Sequence, residues 1–216
     1  SSTTGMGKWA HRVAEALEQR GHRVTLWFDR DVLGAASSTF ATIVVYPIQL
    51  AWSVVSRRGD FDAVIVHEPA GFWYGLARAV MPSLPPLIAM CHNVESKCFE
   101  QRLRGARGAY STVPWSTRIK QPLFRNWQAN GTIRLADHVL CLSTEDRRYV
   151  IDTLRQRPER VTRIVNGVAP EDFTEAAVDR EASVLFVGGW LEVKGARLLP
   201  VIFRRLRQKL GHAQLT

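Results

Sequence analysis

Ala63-Val64-Ile65-Val66, then Trp73 to Met81, then Pro86 to Met90 read in succession as a strand, a helix and a second strand. Both strands are short continuous apolar runs, the pattern of strands covered on two faces. The same rhythm resumes downstream with His138 to Leu142 as strand, Glu145 to Gln156 as helix and Val161 to Val165 as strand. Strands separated by helices in this way build βαβ units around a parallel sheet, and right-handed crossovers put helices on both of its faces. The expected fold class is α/β, with a Rossmann-like parallel sheet.

Upstream of this stretch, apolar residues at Ala10, Val13, Ala14 and Leu17 mark one face of a helix starting near Lys8, and Gly21 is placed to end it. Val24 to Phe28 is another continuous apolar run and predicts a buried strand, followed by a helix over Gln49 to Arg57. The middle, Ser96 to Arg134, shows no clear period; it is rich in Lys and Arg and contains one acid, Glu100. Beyond a polar connector, Val184 to Val187 predicts a strand, Gly188-Gly189 a turn, and 196–210 a helix. A lone βα unit cannot bury its own apolar face, and a glycine loop that opens a helix ordinarily follows a strand. These features predict a Rossmann-like domain over 1–165 lacking its first strand. They also predict a hinge and the first βα unit of an incomplete second Rossmann-like domain over 166–216, with truncation at both ends.

The 216 residues are 46% hydrophobic and 23% charged, an ordinary globular balance that makes a disordered chain a poor reading. Three cysteines, Cys91, Cys98 and Cys141, are an odd number beside apolar runs, which predicts reduced core thiols and a cytoplasmic setting. The spacing of Cys91, His92 and Cys98 matches no structural zinc pattern, so no metal is implied. No apolar run reaches the roughly 18–20 residues of a spanning helix, and Pro47 interrupts the best candidate, Thr39 to Val55. Ser1 to Gly5 has neither the basic nor the apolar region of a signal peptide. A protein that is soluble, or peripheral at the inner face of the membrane, is expected.

The net charge of +9 favours anionic partners. In the basic middle, Phe99, Tyr110, Trp115, Phe124 and Trp127 accompany the cations. That mixture suits an anionic membrane surface; it also suits stacking on single-stranded nucleic acid, or a solvated basic face with its rings buried.

Gly5-Met6-Gly7-Lys8-Trp9-Ala10 sits at a helix start, where free N–H groups favour an anion, or it is a simple turn glycine pair. Trp9 stands where a P-loop requires Ser or Thr. The pattern does satisfy Gly-x-Gly-x-x-Ala, and Asp29 falls at the distance of a ribose-binding acid, so an NAD(P)-binding oxidoreductase is a rival. None of the four tyrosines is followed by Lys at the fourth position, which the short-chain type of that enzyme requires. Cys91-His92-Asn93 closes a strand at the carboxyl edge where parallel sheets bind ligands, and His67-Glu68 belongs to the same rim. A histidine there binds a hydroxyl or phosphate, or is merely packed. Gly188 to Gly195 links strand to helix; two glycines allow close approach of a diphosphate, and Lys194 supplies charge to neutralise it.

Taken in order, these landmarks resemble the retaining glycosyltransferases of family 4, with the GT-B architecture of two facing Rossmann-like domains. They are Gly5-Met6-Gly7 with its helix and Gly21 to Val24, Phe61 to His67, Ile88 to Asn93, Ala136 to Ser143, Val165 to Val168 and Val184 to Gly195. The resemblance implies a donor that is a nucleoside diphosphate sugar, an acceptor that is a glycan or lipid-linked hydroxyl compound, and no cofactor or metal. It assigns Gly5 and Gly7 to the acceptor and donor phosphate, His92 to the reaction centre, Asn93 to substrate binding, and Gly188, Gly189 and Lys194 to the donor diphosphate. Many members carry Arg where this chain has Gly189, and the family's paired glutamates would lie beyond Thr216. As it stands, the chain is expected to hold an acceptor-side domain and the threshold of a donor site, and to be inactive alone.

Overall fold

The computed structural model describes residues 5–34, 38, 40–107, 113–167, 183–184, 186, 195–211 and 214–215. The chain divides into one unit of residues 1–103 and 113–166 and another of residues 104–112 and 167–216.

In the first unit the sheet is built where the apolar runs predict it. Strands β1 (Val64–His67), β2 (Leu87–Cys91), β3 (His138–Cys141) and β4 (Val161–Arg163) lie in the order β1-β2-β3-β4, all parallel. The register pairs Val64 with Leu87, Cys91 with Cys141 and Val139 with Val161. Leu87, Ala89, Met90 and Cys91 are all without exposure, as a central strand covered on two faces requires, whereas Ile65 on the edge strand is partly exposed. Helix α4 (Phe72–Val80) makes the β1–β2 crossover, and α8 (Thr144–Asp152) the one from β3 to β4.

The first helix, α1 (Gly5–Glu18), includes Gly5 and Gly7 in its first turn, so this glycine pair is helical backbone and not a loop ahead of the helix. Gly21 ends the segment in the left-handed region at φ +87°, its N–H donating to the Glu18 carbonyl at 2.9 Å. The strand expected over Val24–Phe28 does not form. An apolar run becomes a strand only where a neighbour supplies hydrogen bonds, and this one pairs with none among the described residues. Its rings find burial sideways: Trp27 packs edge-on against Phe61 under the Arg57 guanidinium, and Phe28 lies 5.4 Å from the ring of His11. Asp29, the ribose acid of the rival reading, starts the short helix α2 (Asp29–Leu33), its carboxylate accepting from the Arg30 N–H.

Pro47 does not break the chain between Thr39 and Val55. A π-helical stretch, Ala41–Val45, runs into α3 (Tyr46–Ser56), and Pro47 falls in the first turn of α3, where its missing N–H is tolerated. The basic middle is helical over its described part except Val113 and Pro114. It contains α5 (Glu95–Arg107), then α6 (Trp115–Lys120), a π stretch (Gln121–Asn126) and α7 (Trp127–Leu135) in one continuous run. Helix α7 packs on α4 at close range, because a Cβ on Gly131 would stand 2.4 Å from the Phe72 ring.

Polar ties fix the strand ends. Asp137 accepts from the Leu87 N–H at 2.8 Å and pairs with Arg78, whose hydrogen bond holds the carboxyl below its ordinary pKa. Ser143 caps α8 by accepting from the Asp146 N–H at 2.9 Å, and Lys97 reaches across to Asp146 at 2.7 Å.

In the second unit, β5 (Ser183–Val184) and β6 (Gln214–Leu215) pair in parallel, with α9 (Leu199–Lys209) between them in sequence. The helix expected over 196–210 is therefore followed by a strand that the sequence reading does not contain.

Candidate active site

Three neighbouring strands deliver their carboxyl ends to one place, since β1, β2 and β3 are parallel and in register. The chain leaves β1 through His67, Glu68 and a cis Glu68–Pro69 bond, β2 through Cys91, His92 and Asn93, and β3 through Cys141 into the Ser143 cap. A cavity of about 210 Å³ lies against them, lined by His67, Glu68, Met90, His92 and Asn93 from the strand ends. Helical side chains complete its wall: Met6 from α1, Glu95, Cys98, Phe99 and Arg102 from α5, and Gln121 and Arg125 from the π stretch.

The two imidazoles stack, with ring centroids 4.8 Å apart and planes 14° from parallel. Trp9 meets both edge-on, at 5.4 Å from His67 and 5.3 Å from His92. Burial, and then the neighbouring His92, lower the pKa of His67 to about 4; burial also lowers that of His92. Both rings are therefore neutral near pH 7. The Glu68 carboxyl is enclosed, which raises its pKa well above the ordinary value although the Glu95 backbone N–H donates to Oε1 at 3.3 Å.

His67 Nδ1, Glu68 Oε2 and His92 Nε2 are buried and find no hydrogen-bond partner among the described residues. Buried polar atoms ordinarily have partners, and three orphans around one cavity amount to a set of vacant hydrogen-bond positions. A neutral imidazole nitrogen either donates or accepts according to tautomer, and a protonated carboxyl does both. Such a set matches hydroxyl groups. Positive charge stands at the rim in Arg102 and Arg125. Arg125 donates from Nε and Nη2 to Glu95 Oε1, at 3.1 and 2.7 Å, and the Gln121 amide donates to the other Glu95 oxygen, so the π stretch is fastened to α5.

Of the site residues expected from sequence, His92 and Asn93 line the cavity. Gly5 and Gly7 do not line it; Met6 between them does, and Gly5 faces open space where a Cβ would meet nothing within 4 Å. Gly188, Gly189 and Lys194 lie outside the described residues. Glu68 was legible only as a rim residue, and Trp9, Glu95 and Arg125 not at all. Glu95 and Arg125 are 30 residues apart and meet only because two helices cross.

The sequence matches the model of Glycosyltransferase Family 4 over residues 3–172. No curated protein gives a significant match. The family match leaves the nicotinamide-cofactor rival without support, and it agrees with the parallel sheet. With the match spanning well over half of its length, the chain belongs to Glycosyltransferase Family 4.

Proposed function

We propose that the protein transfers a sugar, of the hexosyl type, from a nucleoside diphosphate sugar to the hydroxyl of a glycan or lipid-linked acceptor, with retention of configuration. The observation that carries this reading is the trio of unpartnered polar atoms, His67 Nδ1, Glu68 Oε2 and His92 Nε2, around one cavity of a family 4 chain. They form a hydrogen-bonding wall suited to sugar hydroxyls, with Arg102 in the same lining to meet a phosphate.

In the transfer, negative charge develops on the leaving diphosphate and needs fixed cationic and N–H donors. The family resemblance gives that part to Lys194 with Gly188 and Gly189, and a further phosphate contact to Gly5 and Gly7. His92 orients the acceptor hydroxyl and stabilises charge. Its lowered pKa keeps it neutral, so it is no strong base before the substrate arrives. The leaving phosphate accepts the acceptor's proton. The reaction runs in a GT-B frame of two Rossmann-like domains, without cofactor or metal, in the cytoplasm or at the inner face of the membrane. Three free cysteines support that compartment.

Thermal unfolding with a panel of nucleoside diphosphate sugars, NAD and NADP tests the reading. A bound donor at about 100 times its Kd should add roughly 2.7 kcal/mol of stability. Stabilisation by the nicotinamide dinucleotides only would replace this reading with a dehydrogenase.

A further inference from the structure

Two helical runs of the first unit leave rows of large apolar side chains in water, and both rows fall on a four-residue step. From Trp115 to Leu135 the row is Trp115, Ile119, Leu123 and Trp127, with Trp115 74% and Leu123 58% exposed. On the run ending at Ser56 it is Phe40, Ile48 and Trp52, with Phe40 64% and Trp52 72% exposed. A four-residue step overshoots an α-helical turn, so such a row drifts around an unbroken α-helix. Each run contains a π stretch, Ala41–Val45 and Gln121–Asn126, whose wider turns take up the drift. The two π stretches pack on each other, which makes the rows neighbours. The inner sides of these helices are filled separately, by Leu50, Ala51 and Val54 and by Ala129, Thr132 and Ile133. Trp127 packs against Phe72 and Trp73, and the rest of the outer rows is surplus to the core.

Charge identifies what covers them. Neither run contains an Asp or Glu; 115–135 carries Arg118, Lys120, Arg125 and Arg134, of which Arg125 pairs with Glu95, while the run ending at Ser56 carries no charge and is followed by Arg57 and Arg58. On a chain of net charge +9, the cationic 115–135 run disfavours a second copy and attracts an anionic surface. Exposed rings and aliphatic side chains, beside the cations of 115–135 and with no acid on either run, suit the interface of an anionic bilayer. Among the described residues no helix is long and apolar enough to cross a membrane, so the contact is one that lies along the surface.

We propose that this helix pair docks the protein on anionic lipid bilayers, with Phe40, Trp52, Trp115 and Leu123 entering the headgroup layer and Arg118 and Lys120 meeting lipid phosphates. The inference stands on exposure and charge and does not depend on the glycosyl-transfer reading. Co-sedimentation of the full chain with vesicles of phosphatidylcholine mixed with phosphatidylglycerol, against phosphatidylcholine alone, tests it. Binding should require the anionic lipid, weaken with salt and shift tryptophan emission to the blue. Removing a surface cation should weaken binding about fivefold, and Arg118→Gln with Lys120→Gln roughly 30-fold. Trp115→Ser with Leu123→Ser should abolish binding while leaving the melting temperature unchanged. No binding, equal binding to neutral vesicles, or binding indifferent to both double variants would overturn the proposal. So would a dimer in light scattering that the Trp115 and Leu123 changes dissolve, since that would assign the face to a second copy.

Discussion

Acid should destabilise this fold through His67, and by an amount that can be worked out. Burial beside His92 lowers the pKa of the ring from 6.5 to about 4. On falling pH the unfolded chain therefore takes up this proton first. The stability that depends on a neutral His67 is complete above pH 6.5 and is lost progressively as pH falls towards about 4. Between about pH 7.5 and about pH 4.5 the loss comes to roughly 2–3 kcal/mol. His67→Gln keeps a hydrogen-bonding side chain in place and removes the titration. Urea unfolding of both proteins across this range, at unchanged m, isolates the effect because every other titrating group is shared. The variant should gain on the wild type by that amount as the solution is acidified. A stability difference that stays constant from neutral pH to about 4.5 would refute the reasoning, because the folded ring would then titrate like a free one.

Glu68 should give the mirror image: its folded pKa is raised by burial, so its contribution is complete below about 4.5 and lost as pH rises. Glu68→Gln should accordingly gain on the wild type with rising pH, which the same urea series reads. Gly131→Ala should lower stability by roughly 1–3 kcal/mol, because Phe72 is wedged between Trp73 and Trp127 and has no free direction to move; differential scanning calorimetry measures it. Tyr74→Phe should cost about 1–2 kcal/mol in urea unfolding, since its buried hydroxyl donates to the Pro85 carbonyl at 2.7 Å and leaves that acceptor unpaired.

The sheet was legible in the sequence because its strands are local signals: β1 to β3 lie in short apolar runs, and β4 continues the same strand–helix rhythm. Their carboxyl ends were legible with them, and this is why His92, Asn93 and the His67-Glu68 pair could be named. Val24–Phe28 carried the same signal and failed, since strand formation is a property of pairs and its rings pack against Phe61 and His11 instead. The basic middle hid part of its helical run because the π stretch Gln121–Asn126 shifts the period that a helix reading looks for. The closure of the site was hidden for a different reason. Trp9 covers the imidazole pair from α1, and the Glu95–Arg125 pair joins α5 to the π stretch. Both depend on how helices cross, which no spacing along the chain records.

The central claim is that the wall made by His67, Glu68 and His92 receives the substrates of glycosyl transfer. The imidazole proton resonances of His67 and His92, assigned with His67→Gln and His92→Gln, report on that wall directly. Titration with nucleoside diphosphate sugars and with candidate hydroxyl acceptors should shift both rings in the wild type, while NAD and NADP leave them in place. Rings that stay unmoved by every sugar ligand, or that respond to the nicotinamide dinucleotides instead, would contradict the account.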